Sequence, residues 1–191
     1  MTKLEDLRMA MSGCDKCQLC MHRSQIVFGD GKVNGPAIMI IGEAPGADED
    51  EAGLPFVGRC GQKLNEILAF AGIKRESIYI ANSVMCRPPN NRPPTMEEIL
   101  ACRERLLIQI QEIKPRLIVT MGRIAIQALI GKELKGPLSQ LFAQRFHDIT
   151  INGKSLRFVA TYHPSYLLRN RKVAFPIMFQ HWKDIKDEIK L

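Results

Sequence analysis

Two groups of side chains in this sequence have types and spacings suited to chemistry: a cluster of acids and a set of cysteines. Glu43, Asp48, Glu49, Asp50 and Glu51 gather in the stretch GEAPGADEDE, directly after the apolar run Ala37-Ile38-Met39-Ile40-Ile41, on a chain of formal net charge +7. A carboxylate held at a strand end can stabilise a developing cation or deprotonate a water; a solvated acidic loop does neither. Cys14 and Cys17 form a C-x2-C pair, with Cys86 and Cys102 far downstream. Cys86 falls just past an expected strand and Cys102 early in an expected helix, so both can face one loop-borne pair. Four thiolates suit zinc or an iron–sulfur cluster, and spacing alone does not choose between them. Cys20 extends the first pair to C-x2-C-x2-C, a ferredoxin-like spacing, and can displace one of the distant two. Cys60, between Gly58 and Gly61 at a helix start, reads as a small packed residue.

These groups need a scaffold, and the hydrophobic pattern supplies one. Ala37–Ile41 is a wholly apolar run, as expected of a strand buried on both faces of a parallel sheet. Further strands are expected at Ser77–Asn82 and Arg116–Met121, and as a hairpin or bent pair at Phe146–Ile151 and Leu156–Thr161 around Asn152-Gly153. Helices are expected at 2–11, at 58–71 before Gly72, from an N-cap at Thr95 with Glu98 three residues on to about Ile113, at 122–130, and at 172–191 with Phe175, Ile177, Met178, Trp182, Ile185 and Ile189 inward. Strands alternating with helices predict an α/β fold, a three-layer α/β/α sandwich around a mostly parallel four-stranded sheet. Ligands bind such sheets beyond the carboxyl ends of the strands. Three polar stretches fall there: GEAPG, ANSVMCRPP and TYHPSYLLRN.

The chain has 191 residues, enough for one domain with a sizeable core. No apolar run approaches the roughly 18 residues of a membrane span, and the start MTKLEDLRMAMSG is charged and helix-like, unlike a signal peptide. A cytoplasmic protein without membrane association is expected. With 27 Lys and Arg against 20 Asp and Glu, a polyanionic partner is plausible.

With these residues assembled, the chain resembles the family 4 uracil-DNA glycosylases, the iron–sulfur branch of their superfamily. The resemblance rests on the early C-x2-C, on GEAPGADEDEAGLPFVGRCGQKLNEIL at 42–68, on YIANSVMCRPPNNRPP at 79–94 and on YHPSYLLRN at 162–170. It implies a monofunctional DNA-repair enzyme of base excision that hydrolyses the N-glycosidic bond of deoxyuridine in single- or double-stranded DNA. It also implies a 4Fe-4S cluster on Cys14, Cys17, Cys86 and Cys102, a monomer, and one domain over 1–191 whose cluster-binding part comprises 13–35 and 84–103. Departures from the family pattern are Cys20 and Cys60, which it does not require, and Met85, where a lysine is common and DNA affinity is the property at stake.

Under that resemblance each motif acquires a role. A base inside a duplex must be flipped into a pocket before it can be read and cut. Phe56 offers a face for uracil, Ala44 lines the pocket, and Asn82 can pair with O4 and N3–H, which cytosine presents with reversed polarity. His163 can donate to uracil O2 as negative charge builds on the leaving base. Glu43 is the first choice of carboxylate for the water and the oxocarbenium-like sugar, with Glu49 or Asp50 second. Leu167 and Leu168, one expected buried and one exposed, form with Arg169 an apolar wedge beside a cation. Ser165, Arg59, Arg87, Arg92 and Lys63 are candidates for phosphate contact, while His22, His147 and His181 read as surface or packing residues. The alternative is a non-catalytic iron–sulfur or zinc module that binds nucleic acid, which would not require Glu43, Asn82 and His163 together.

Overall fold

The computed structural model describes residues 2–143 and 146–189. Its frame is a six-stranded sheet in the order β1-β3-β2-β4-β6-β5. Four strands run parallel at the centre: β2 (Ile38–Gly42), β3 (Tyr79–Asn82), β4 (Leu117–Met121) and β6 (Lys154–Thr161). These are the four strands the sequence pattern predicts. Two antiparallel edges bring the count from the expected four to six: β1 (Asp30–Gly31) beside β3, which was not expected, and β5 (His147–Ile151) beside β6, the first arm of the expected hairpin at Phe146–Ile151 and Leu156–Thr161. The two-residue β1 has no hydrophobic period to betray it. The β5–β6 hairpin turns at Asn152 (φ 48°) and Gly153 (φ 76°), the paired left-handed conformations that an Asn-Gly turn favours.

Period-2 alternation divides the core into two halves. Ile38 and Ile40 of β2 face Leu64 and Leu68 of α3 (Arg59–Ala71) and Met178, Trp182 and Ile185 of α8 (Arg171–Ile189). Met39 and Ile41 face Leu106, Ile110 and Ile113 of α4 (Met96–Ile113) and Ala125, Ala128 and Leu129 of α5 (Gly122–Ile130). This is the expected three-layer sandwich, and burying each Leu or Ile contributes about 1.5–3 kcal/mol. Thr95 caps α4 in a reciprocal arrangement, its hydroxyl accepting from Glu98 N–H while the Glu98 carboxylate accepts from Thr95 N–H. The same box joins Thr2 and Glu5 at the start of α1 (Lys3–Met11).

Three short helices depart from the expected pattern. The acidic run is itself a helix, α2 (Ala47–Ala52); Ser139–Ala143 forms α6; and the segment after His163 is α7 (Pro164–Arg169) where a turn was expected. In α8, Met178, Trp182, Ile185 and Ile189 are buried as expected, but Phe175 is 51% exposed and points away from the core. Leu191, the expected end of that helix, lies outside the described residues. No helix among the described residues is long and apolar enough to cross a membrane.

Candidate functional site

In the parallel part of the sheet, β2 pairs with β3 on one side and β4 on the other, so the chain changes direction across the sheet beside β2. Crevices beyond the carboxyl ends of the strands at such points are where open α/β sheets bind ligands. Here the cleft has a volume of about 440 Å³, and its lining includes Glu43, Ala44, Glu49, Phe56, Cys60, Asn82, Arg92, His163, Ser165 and Arg169. Glu43 directly follows β2, Asn82 ends β3, and His163 stands two residues past β6.

Close approach at two glycines shapes the floor. Gly42 and Asn82 are register partners across β2 and β3. A Cβ at Gly42 would lie 2.4 Å from Asn82 Oδ1 and 2.6 Å from the Phe56 ring. A Cβ at Gly61, in the first turn of α3, would lie 1.9 Å from the Phe56 carbonyl oxygen. Phe56 is thus pressed between the end of β2 and the start of α3. It adopts φ 54°, a strained conformation for an aromatic residue, and its ring centroid stands 5.9 Å from that of His163 at an interplanar angle of 38°.

Glu49 holds this arrangement. Its carboxylate accepts from the Gly46 (3.0 Å), Val57 (3.0 Å) and Gly58 (2.9 Å) N–H groups, tying the loop after β2 to the segment that carries Phe56. Three backbone donors occupy most of its acceptor capacity, and Glu49 is 9% exposed. Asp50 does not line the cleft: it is buried and accepts from the Ser24 N–H at 3.0 and 2.9 Å, anchoring the N-terminal segment. The Glu43 backbone carbonyl accepts from Val84 N–H at 3.4 Å, while its carboxylate accepts no hydrogen bond among the described residues, and burial pushes that carboxyl above the ordinary range against the opposing pull of Arg169.

His163 caps α7. Its Nδ1 accepts from the Ser165 N–H at 3.2 Å and lies 2.9 Å from Ser165 Oγ. A backbone N–H can only donate, so the proton of the neutral ring sits on Nε2. Burial, reinforced by Arg169, pulls His163 down to about 4, so the ring is neutral at pH 7. Arg169 Nη2 reaches Ser165 Oγ at 3.4 Å.

The remaining basic candidates disperse. Arg92 borders the cleft but is held by Glu98 through two bonds of 2.9 and 2.6 Å. Arg87 donates to Asn91 at 2.8 Å, Lys63 pairs with Glu66 on another face, and Arg59 is exposed. Leu167 is buried and Leu168 is 43% exposed, the division expected of them. His22, His147 and His181 do not line the cleft. Sequence reasoning missed the lining by Cys60, the spacing role of Gly42 and Gly61, and the electrostatic reach of Arg169 into the cleft. The glycines that flank Cys60 in GRCG were the available signal.

A sequence profile of the Uracil DNA glycosylase superfamily matches residues 28–186. The chain belongs to this superfamily. Among its relatives, the type-4 uracil-DNA glycosylase of Pyrobaculum aerophilum is 43% identical over 169 residues, 87% of this chain and 85% of that protein. The type-4 uracil-DNA glycosylase of Thermotoga maritima is 44% identical over 160 residues, 83% of this chain and 79% of that protein. A type-5 uracil-DNA glycosylase of Pyrobaculum aerophilum is more distant, at 30% over 68% of this chain and 62% of that protein. Within the superfamily the chain therefore groups with the type-4 members.

Away from the cleft, this superfamily member gathers five of its cysteines around one small cavity of about 20 Å³. Cys14, Cys17, Cys20, Cys86 and Cys102 line it, with Arg23 and Arg105. Arg23 Nη1 donates to Cys86 Sγ at 3.2 Å. Burial pushes up the thiols of Cys17 and Cys86, and raises Cys102 to about 12. Among the described residues no group of three or more His, Cys, Asp or Glu side chains is arranged to hold a metal ion. The donor set nevertheless fits a thiolate-bound group by kind and by convergence, since the chain folds residues from three distant segments onto one cavity. Buried thiols with raised pKa values need a positive centre to become ligands. Cys60 stands apart in the cleft, packed against the apolar core as expected. Met85 is fully buried beside Met11 and Phe28, so it cannot touch DNA.

Proposed function

We infer that the protein is a monofunctional uracil-DNA glycosylase of DNA repair, hydrolysing the N-glycosidic bond of deoxyuridine and leaving an abasic site. The observation that carries this reading is the meeting of Glu43, Phe56, Asn82 and His163 in one cleft at the carboxyl ends of three parallel strands. A non-catalytic binding module has no use for that meeting.

Each group acts through its position. The flipped uracil lies against Phe56, whose ring and the Asn82 amide can close in together because Gly42 carries no side chain. The Asn82 side chain, buried and without a hydrogen-bond partner among the described residues, reads the O4 and N3–H edge; the reversed donor and acceptor pattern of cytosine would leave both amide groups opposed. His163 presents Nε2–H to uracil O2. A neutral donor already oriented by Ser165 stabilises the leaving anion without first taking up a proton. Glu43 faces the sugar, where its carboxylate stabilises the oxocarbenium-like centre and orients the attacking water. Glu49 is a positioning residue instead of a second base, because its oxygens are committed to the loop. Arg169 and Ser165 meet the phosphate beside the flipped nucleotide, and exposed Leu168 enters the gap it leaves.

Cys14, Cys17, Cys86 and Cys102 would hold a 4Fe-4S cluster, with Cys20 on the same cavity as a spare donor. When bound, such a cluster supplies a positive centre that links the segments 13–35 and 84–103. The protein acts as a monomer on single- or double-stranded DNA.

An oligonucleotide carrying one uracil, incubated with the protein and then treated with alkali, should break at that position, and His163→Ala should abolish the break. Intact oligonucleotide in both strand forms, with cluster-loaded protein, would overturn the reading.

A further inference from the structure

The acidic helix α2 cannot hold itself, because its six residues fall far below the length of about 12–15 at which an isolated helix becomes stable in water. Contacts from elsewhere must fix it. On one side the Glu49 carboxylate accepts from the Gly46, Val57 and Gly58 N–H groups. On the other, Asp50 is 2% exposed and accepts from the Ser24 N–H at 3.0 and 2.9 Å, with the Gln25 amide nitrogen 3.5 Å away. The Gln25 side-chain NH2 donates to the Glu51 carbonyl at 2.6 Å. Directly before Ser24 stands Arg23, whose Nη1 donates to Cys86 Sγ at 3.2 Å. Residues 23–25 therefore touch the cysteine cavity through one side chain and α2 through the two backbone amides that follow.

We propose that Asp50 is a positioning residue for uracil recognition, holding residues 23–25 against α2 so that a filled cysteine cavity and a filled uracil cleft stabilise each other. The inference rests on the glycosylase and cluster readings. Its two-state element is the docking of 23–25 on α2. Docked, that segment fixes Asp50 and with it the adjacent Glu49, whose amide bonds place the segment carrying Phe56. Released, it takes away one of the two anchors of α2 and leaves Arg23 without a fixed approach to Cys86. Uracil against Phe56 favours the docked state from one end, and a group held by Cys14, Cys17, Cys86 and Cys102 favours it from the other. Asp50 does not line the cleft, so its influence reaches the base only through Glu49. Such coupling is reciprocal: the factor by which a filled cavity tightens the cleft is the factor by which a filled cleft tightens the cavity.

The reverse direction gives a readout that does not depend on excision. The protein as isolated is saturated with a single-stranded oligonucleotide carrying either uracil or thymine on a non-hydrolysable 2′-fluorodeoxyribose; iron release to a chelator and hydrogen exchange of the Ser24 and Gln25 amides are then followed. The thymine strand controls for DNA that merely covers the surface. Relative to it, the uracil strand should slow both processes about fivefold. Asp50→Ala removes the acceptor and should abolish the difference, whereas Asp50→Asn keeps one carbonyl oxygen for the Ser24 N–H and should retain part of it. Arg23→Met cuts the same route at its other end, at a half-buried position, and should abolish the difference in iron release. Equal rates with both strands in the wild type, an undiminished difference in Asp50→Ala and Arg23→Met, or protein isolated without iron would overturn the proposal. Excision with equal rates refutes the coupling and spares the glycosylase. Uracil-dependent slowing in a protein that never breaks a uracil-containing strand does the reverse.

Discussion

Glu49→Gln separates holding a loop from activating a water. Oε1 of Glu49 accepts from the Val57 and Gly58 N–H groups and Oε2 from that of Gly46. Glutamine can keep its carbonyl oxygen towards the first two, but its NH2 must then face the Gly46 N–H, donor against donor. Hydrogen bonds to a charged acceptor contribute about 1.5–3 kcal/mol each. Losing one and making two neutral therefore costs about 3 kcal/mol, or roughly 6–12 °C of melting temperature for a chain of this size. Because the released segment carries Phe56, KM for uracil-containing DNA should rise about tenfold while kcat stays within a few-fold. Calorimetry and steady-state excision on one protein preparation measure both. An unchanged melting temperature with kcat reduced more than a hundredfold would refute the holding role and return Glu49 to the chemistry.

Four further outcomes follow from the cleft and the cysteines. Gly42→Ala, whose Cβ would sit 2.4 Å from Asn82 Oδ1, should cut kcat/KM at least a hundredfold by closing the uracil pocket, read by excision with a check that the protein still melts cooperatively. The acid limb of the pH–activity profile should belong to Glu43, lying above the ordinary carboxyl range and vanishing in Glu43→Gln, and no limb should fall near the usual histidine value, since His163 titrates only near 4. The depressed His163 value has a stability consequence of definite sign: between about 6.5 and 4 the unfolded chain takes up a proton that the folded chain refuses, so this contribution is lost as pH falls through that window, which acid melting curves on wild type and His163→Gln compare. Cys14→Ser, Cys17→Ser, Cys86→Ser and Cys102→Ser should each lower iron and sulfide content and loosen the 13–35 segment in hydrogen exchange, whereas Cys20→Ser should not; equal loss with Cys20→Ser would revise the ligand set.

Much of this protein is determined by local pattern. Four apolar runs became the four parallel strands, Thr95 and Glu98 marked a helix start, and Asn152-Gly153 marked a hairpin, because burial on both faces, capping and left-handed turns each leave a signature within a few residues. The motif residues Glu43, Asn82 and His163 were legible too, each sitting where a strand ends. Only the tertiary structure decided what those neighbourhoods do. Five acids look alike in sequence, yet Glu43 at the end of β2 faces the cleft with its carboxylate unbonded, while in the helix that follows Glu49 holds three amides and Asp50 anchors Ser24, because a helix points successive side chains in different directions. Arg92 was a phosphate candidate until Glu98 claimed it. Met85 sits one residue before Cys86 but faces the core, and Phe175 leaves the core to line a groove. Sequence specifies which groups are available at which ends of which elements; partners, burial and the resulting charge states depend on contacts between segments far apart along the chain, which no local pattern encodes.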